Sequence, residues 1–233
     1  MSKSVDLYYV RHGYPDYEHD SLTITGRYQA EKTSEFLKTI KMDKIFSSNL
    51  GRARITAEYL ANKQNKEIII LPWLSEDNAA KYASKIVNNQ FINWYFWIDE
   101  TIKLFHKLQN DKNWYLSKEL PPSIYEGTKI IGEEIDNWLK TIGIERDQKA
   151  NTFHQIGDVP KNIAVFAHGG MATLFLSSIL NLSYPDFVSR FQVLAMCGVV
   201  HIRINLDKLP SVELIQYNGV YYDQHIQEDK LGV

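Results

Sequence analysis

Apolar residues in this chain fall into short β-branched runs separated by longer stretches whose apolar positions recur every three to four residues. Val5-Asp6-Leu7-Tyr8-Tyr9-Val10 stops abruptly at Arg11-His12-Gly13, which predicts a buried strand ending in a loop. Tyr14 to Asp20 is short, aromatic, charged and broken by Pro15, so it reads as a loop. A helix then follows with Thr23 or Thr25 as its cap and Ala30, Thr33, Leu37 and Ile40 as its core face. Asp43 to Ser47 suggests a brief second strand. Ser48-Asn49-Leu50-Gly51 turns into a helix carrying Arg52, Ala53, Ala57, Leu60 and Ala61. Ile68-Ile69-Ile70-Leu71 predicts another buried strand, ended by Pro72.

Residues 78–125 break this rhythm. Phe91, Trp94, Tyr95, Trp97, Ile98, Phe105 and Leu108 follow no clean alternation, and the stretch reads as a helical, aromatic-rich lid or insertion within one domain spanning 1–233. Ile130, Ile131, Ile135, Trp138, Leu139 and Ile142 return to helical spacing before Gly143. Glu145 to Pro160 reads as polar loop. Ile163-Ala164-Val165-Phe166-Ala167 is the next strand, and His168-Gly169-Gly170 leads into an apolar helix from Met171 to Leu180. Val199–Ile204 and Val212–Tyr217 are late strands, with Asn218-Gly219 as a hairpin turn.

Composition narrows the partners. The chain has 233 residues, 44% hydrophobic and 23% charged, as expected of a globular protein able to bury a sizeable core. A net charge of −2 gives no reason to expect nucleic acid or an anionic membrane as partner. No apolar stretch reaches the roughly 18 residues of a membrane span, and no secretory leader is evident, which makes the cytoplasm the default location. The single cysteine, Cys197, lies in an apolar run and reads as an inert core thiol. The apolar helices are compatible with a homodimer.

In an open α/β sheet, ligands bind beyond the carboxyl ends of strands, and here those ends carry Arg11-His12, Arg52 and His168-Gly169. Two guanidiniums, two imidazoles and glycine-exposed amides suit a tetrahedral phosphoryl group, because arginine's planar fork holds two oxygens at once. The amino end of the helix bearing Arg52 adds amides that favour an anion. An imidazole can attack phosphorus to give a transient phosphohistidine, which water then hydrolyses. The leaving alkoxide needs a proton. Glu76 is the first candidate because its segment follows a strand at the same sheet edge, with Asp77 a rival and Asp16 and Glu18 open on the loop after His12. A metal centre on His12 and His168 is disfavoured by the adjacent arginines and by the lack of a close His, Asp or Cys cluster along the chain. Neither a metal nor another cofactor is expected. His106, His154, His201 and His225 have no comparable setting.

The ordered blocks Leu7-Tyr8-Tyr9-Val10-Arg11-His12-Gly13, Leu22-Thr23 with Gly26 and Gln29-Ala30, Ser47 to Ala57, Leu74-Ser75-Glu76 and Ala167-His168-Gly169-Gly170 resemble the histidine phosphatase superfamily, the group containing cofactor-dependent phosphoglycerate mutases and fructose-2,6-bisphosphatases. The resemblance implies a three-layer α/β/α fold with a mostly parallel sheet. It implies His12 as phosphorylated nucleophile, Arg11, Arg52 and His168 as the rest of the phosphate pocket with the Gly169 amide in addition, Glu76 as proton donor, and no metal. Tyr14 stands where the family often has Glu or Gln. Asp77-Asn78-Ala79-Ala80 lacks the common glycine after Glu76, so Asp77 and Asp16 stay open as the acid. The expected activity is hydrolysis of a small phosphate monoester. A phosphoglycerate-type mutase and a non-catalytic phosphoryl-binding protein are the alternatives, and the compact loop after Gly13 argues against the mutase.

Overall fold

The computed structural model describes residues 4–83, 85–87, 90–92 and 99–225. In chain order these form β1 (Ser4–Arg11), the two-residue strands β2 (Pro15–Asp16) and β3 (Ser21–Leu22), α1 (Ile24–Leu37), β4 (Lys44–Ser47), α2 (Gly51–Gln64), β5 (Ile68–Ile70), α3 (Glu76–Ala83), β6 (Lys85–Val87), β7 (Gln90–Ile92), α4 (Asp99–Leu108), α5 (Pro122–Thr141), β8 (Ile144–Asp147), β9 (Thr152–Gln155), β10 (Asn162–Ala167), α6 (Gly169–Ile179), α7 (Tyr184–Val188), β11 (Val199–Asn205) and β12 (Val212–Gly219).

Strand alternation builds the layers. Odd-numbered residues of β1 (Val5, Leu7, Tyr9) and of β10 (Ile163, Val165, Ala167) pack with α5 and α6 through Ile135, Trp138, Leu139, Met171 and Phe175. The even-numbered Tyr8, Val10, Ala164 and Phe166 face the other way, onto Leu37 of α1 and Ala57, Leu60 and Ala61 of α2. Fully burying a side chain such as Phe166 contributes about 1.5–3 kcal/mol, so a sheet apolar on both faces holds a helical layer on each side. The six-stranded sheet runs β12-β11-β1-β10-β4-β5. Strands β1, β10, β4 and β5 are mutually parallel, and β11 joins β1 and β12 in antiparallel pairs. The molecule is therefore the expected α/β fold with a mostly parallel central sheet.

This order creates the crevice. β1 and β10 are neighbours, yet the helix after β1 covers one sheet face and the helix after β10 covers the other. The chain thus leaves these two strands toward opposite faces, the topology at whose carboxyl edge α/β proteins bind ligands.

Four expectations are corrected. Ile68–Leu71 supplies an edge strand, not a buried one: Ile69 and Ile70 are exposed and β5 pairs only with β4 among the described residues. Glu145–Pro160 is not loop throughout, because β8 and β9 form a hairpin with Glu145 opposite His154. Asn218-Gly219 is no hairpin turn but the end of β12, with the Asn218 side-chain oxygen accepting from the Ala195 N–H at 2.7 Å. The 78–125 stretch is not helical throughout, since Phe91 lies in the β6–β7 hairpin and α5 already starts at Pro122. Trp94, Tyr95, Trp97 and Ile98 lie outside the described residues. No helix among the described residues is long and apolar enough to cross a membrane.

Candidate active site

Sheet register sets the site. Arg11 sits opposite Ala167 and Ser47 opposite Phe166, so the next residues of three adjacent strands, His12, His168 and Ser48, reach the carboxyl edge together. The ladder extends one rung past the strands: the His12 N–H donates to Ala167 O at 2.9 Å and the Ser48 N–H to Phe166 O at 2.9 Å. The far side of β1 is braced by Cys197, whose N–H donates to His12 O at 3.1 Å. Its thiol is buried, as expected.

Both imidazoles are buried, with ring centres 5.1 Å apart and planes inclined at 60°. His12 Nδ1 lies 2.7 Å from Gly13 O. A carbonyl can only accept, so Nδ1 carries the proton and Nε2 keeps its lone pair. Burial, with help from the Arg11 and Arg52 charges, pulls the His12 pKa down to about 3. The same causes, burial first and then His12 and both arginines, hold His168 well below the ordinary imidazole value. His168 Nε2 is 2.9 Å from Ser48 Oγ, and the Tyr9 hydroxyl donates to His168 O at 2.9 Å.

The guanidiniums flank this pair. Arg11 donates to Leu194 O at 2.5 Å, and Arg52, on the first turn of α2, donates to Asp20 Oδ1 at 2.7 Å. Among the described residues, the buried Nε–H groups of Arg11 and Arg52 have no hydrogen-bond partner. Gly169 lies against Arg11: a Cβ there would stand 3.0 Å from Arg11 Cζ. Close approach of the α6 amino end to the cation is what this glycine permits.

Glu76 enters from the first turn of α3. Its Oε1 accepts from the Gly170 N–H at 3.0 Å, and its Oε2 approaches His168 Nδ1 to 3.2 Å without hydrogen-bond geometry. Burial raises the Glu76 pKa to about 7 against the opposing Gly170 hydrogen bond. With His168 held neutral and burial favouring the protonated form of Glu76, the 3.2 Å approach is not an ion pair. Asp77, by contrast, is exposed, Asp16 pairs with His19 at 2.9 Å, and Glu18 faces solvent.

Two expectations change here. The amides at the amino end of α2 are expected to favour a ligand anion, but the Gly51 N–H meets a carboxylate from the same chain. Asp20 Oδ2 accepts from the Gly51 N–H at 2.5 Å, a cap supplied from 31 residues away because Leu50, at the cap position, has no side-chain acceptor. A close cluster also exists where none was visible along the chain, since ligand-capable atoms of His12, Glu76 and His168 lie within 4.8 Å of one another. Two neighbouring guanidiniums make that cluster better suited to an anion than to a cation. Sequence reasoning assigns no role at the site to Ser48, to Asp20 or to Thr56, whose Oγ1 accepts from the Gly13 N–H at 3.1 Å. A polar residue in a short loop carries no signal of a partner that only folding brings near.

Comparison with known proteins agrees. The family model "Histidine phosphatase superfamily (branch 1)" matches residues 7–101. A Photorhabdus laumondii protein described as a probable phosphoglycerate mutase, GpmB, is 37% identical over 81 residues, which are 31% of this chain. The match spans only 38% of that relative's length. Phosphoserine phosphatase from Entamoeba histolytica, solved with 3-phosphoglyceric acid, aligns over 93% of this chain and 98% of its own at 20% identity and a TM-score of 0.59. A mycobacterial glucosyl-3-phosphoglycerate phosphatase aligns over 93% and 100% at 15% identity and a TM-score of 0.57. At such identities the two structures speak for the fold alone. The chain is thus similar to the histidine phosphatase superfamily over residues 7–101, and it shares the fold of these phosphatases over most of its length.

Proposed function

We propose that this chain hydrolyses phosphate monoesters of a small molecule through a phosphohistidine on His12. The supporting observation is the juxtaposition of a buried, neutral imidazole with two guanidiniums whose Nε–H groups lack partners among the described residues. Such donors stabilise the oxygens of a phosphoryl group in flight. In the first step the His12 Nε2 lone pair bonds to phosphorus, the ester P–O bond breaks, and Glu76 gives its proton to the departing alkoxide. In the second, the Glu76 carboxylate takes a proton from water as the water oxygen bonds to phosphorus and the N–P bond breaks, releasing inorganic phosphate. Arg11, Arg52, His168 and the Gly169 amide hold the oxygens throughout. A Glu76 pKa of about 7 suits both roles.

The 37% identity to a described phosphoglycerate mutase supports a second reading, in which the phosphoryl group returns to a rebound product. The compact Tyr14–Asp20 loop favours water as acceptor. Incubating the purified chain with an aryl phosphate and with a panel of alkyl phosphates decides between them. Hydrolysis predicts inorganic phosphate release that His12→Ala abolishes. Positional transfer without release would establish the mutase, and tight phosphate binding with no turnover at any pH would leave a binding protein.

A further inference from the structure

The loop between His12 and α1 carries charge of one sign. Residues 14–20 read Tyr-Pro-Asp-Tyr-Glu-His-Asp, with three carboxylates and no lysine or arginine. Folding hangs this loop over the arginine pair. Tyr17, 70% exposed, places its ring 5.4 Å from the Arg52 guanidinium. Asp20 bridges Arg52 at 2.7 Å and the Gly51 amide at 2.5 Å. Asp20 thus occupies one terminal nitrogen of Arg52 and the amino end of α2, leaving the buried Arg52 Nε for a phosphoryl oxygen. A second anion on the ester that reached this cation would find it already paired and would meet the Asp20 carboxylate. The exposed rings of Tyr14 and Tyr17 offer an uncharged or cationic group a better surface.

We infer that Asp20 is a specificity-determining residue that selects phosphate monoesters whose alcohol part bears no second anionic group. The inference rests on the phosphate pocket of the proposed hydrolase and names its substrate class. Glycerol 3-phosphate and 3-phosphoglycerate make a matched pair, since they differ at one carbon, hydroxymethyl in the first and carboxylate in the second. Both are titrated calorimetrically into the full chain carrying His12→Ala, so that turnover cannot intervene. Repulsion between near like charges corresponds to roughly tenfold weaker binding of the carboxylated ester. Adding Asp20→Asn is expected to bring the two affinities within about threefold, while Asp20→Glu retains the gap. Should Asp20→Asn fail to fold, the gap in the protein that keeps Asp20 must shrink from low to high salt. Equal affinities before Asp20 is changed, a gap that Asp20→Asn leaves intact, a gap indifferent to salt, or no binding of either ester overturns the inference. Aryl phosphate turnover by the unsubstituted chain is read separately. A gap without turnover removes the hydrolase reading and keeps the selectivity; turnover without a gap does the reverse.

Discussion

His12 and Glu76 are buried titratable groups displaced in opposite directions, and both displacements favour the uncharged form. Desolvation is the first cause in each case, taking His12 down to about 3 and Glu76 up to about 7. An imidazole free at Nε2 over a wide pH range is a standing nucleophile, and its removal in His12→Ala is expected to cut phosphate release by more than roughly 10³-fold. On the proposed mechanism Glu76 sets the pH dependence. Alkyl phosphates need a proton on the leaving oxygen, so their turnover should fall as pH rises through about 7, where Glu76 ionises. Glu76→Gln should slow them by roughly 10²-fold and flatten that limb. Aryl phosphates, whose leaving groups need less protonation, should lose much less. Initial rates on one ester of each class across pH 5–9, a range of about four units, check this; equal slowing of both would place the loss in the shared hydrolysis of the phosphohistidine and not in protonation of the leaving oxygen.

At the scale of elements, the pocket is held by close backbone contacts that admit no side chain. A Cβ on Gly26, in the first turn of α1, would stand 2.2 Å from Tyr14 O, and one on Gly13 would stand 2.5 Å from Gly26 O. Helix α1 therefore packs directly on the backbone that follows His12, fixed by Thr23, whose side chain caps the helix at the Gly26 N–H. Gly26→Ala should force these segments apart, costing about 1–3 kcal/mol of stability as overpacking does, and should lower aryl phosphate turnover by displacing His12. Urea unfolding and initial rates measure the two effects, and an unaltered midpoint would show that the contact yields freely. The central strands and their helices were legible along the chain because β1, β10, α1, α2 and α5 announce themselves by apolar spacing, and the strand ends carried the site with them. Other features were not. An isoleucine run reads alike whether its strand is central or, like β5, at an edge. The β8–β9 hairpin is short and polar, so it lacks the apolar alternation that marks a strand. The hold of Asp20 on α2 depends on a contact across 31 residues, which no local pattern encodes.

Across the whole molecule the two apolar layers meet at an edge where burial works against charge, and stability should show it. An unfolded His12 takes a proton near its ordinary value of 6.5, whereas the folded one resists to about 3; His168 is displaced in the same direction. Between these limits the unfolded chain binds more protons, so stability falls as pH drops, at about 1.4 kcal/mol per pH unit for each proton fully in play. Glu76 has the opposite sign. From its ordinary 4.5 to about 7 the folded state keeps a proton that the unfolded state releases, so its contribution is present below 4.5 and lost as pH rises. The two effects oppose each other between about 4.5 and 6.5, and the histidines, two groups against one, set the sign for this site. Glu76→Gln should therefore steepen the loss of stability on acidification through that window, and His12→Ala should relax it. Comparing each variant with the parent by urea unfolding at closely spaced pH cancels the carboxylates elsewhere on the surface. Parallel profiles for all three proteins would mean that solvent reaches these groups and that the crevice is wetter than its packing implies. Inorganic phosphate supplies the complementary arm. An anion between the guanidiniums favours protonated imidazole, so saturating phosphate should recover the most stability at the acid end of the window, where the parent has lost the most.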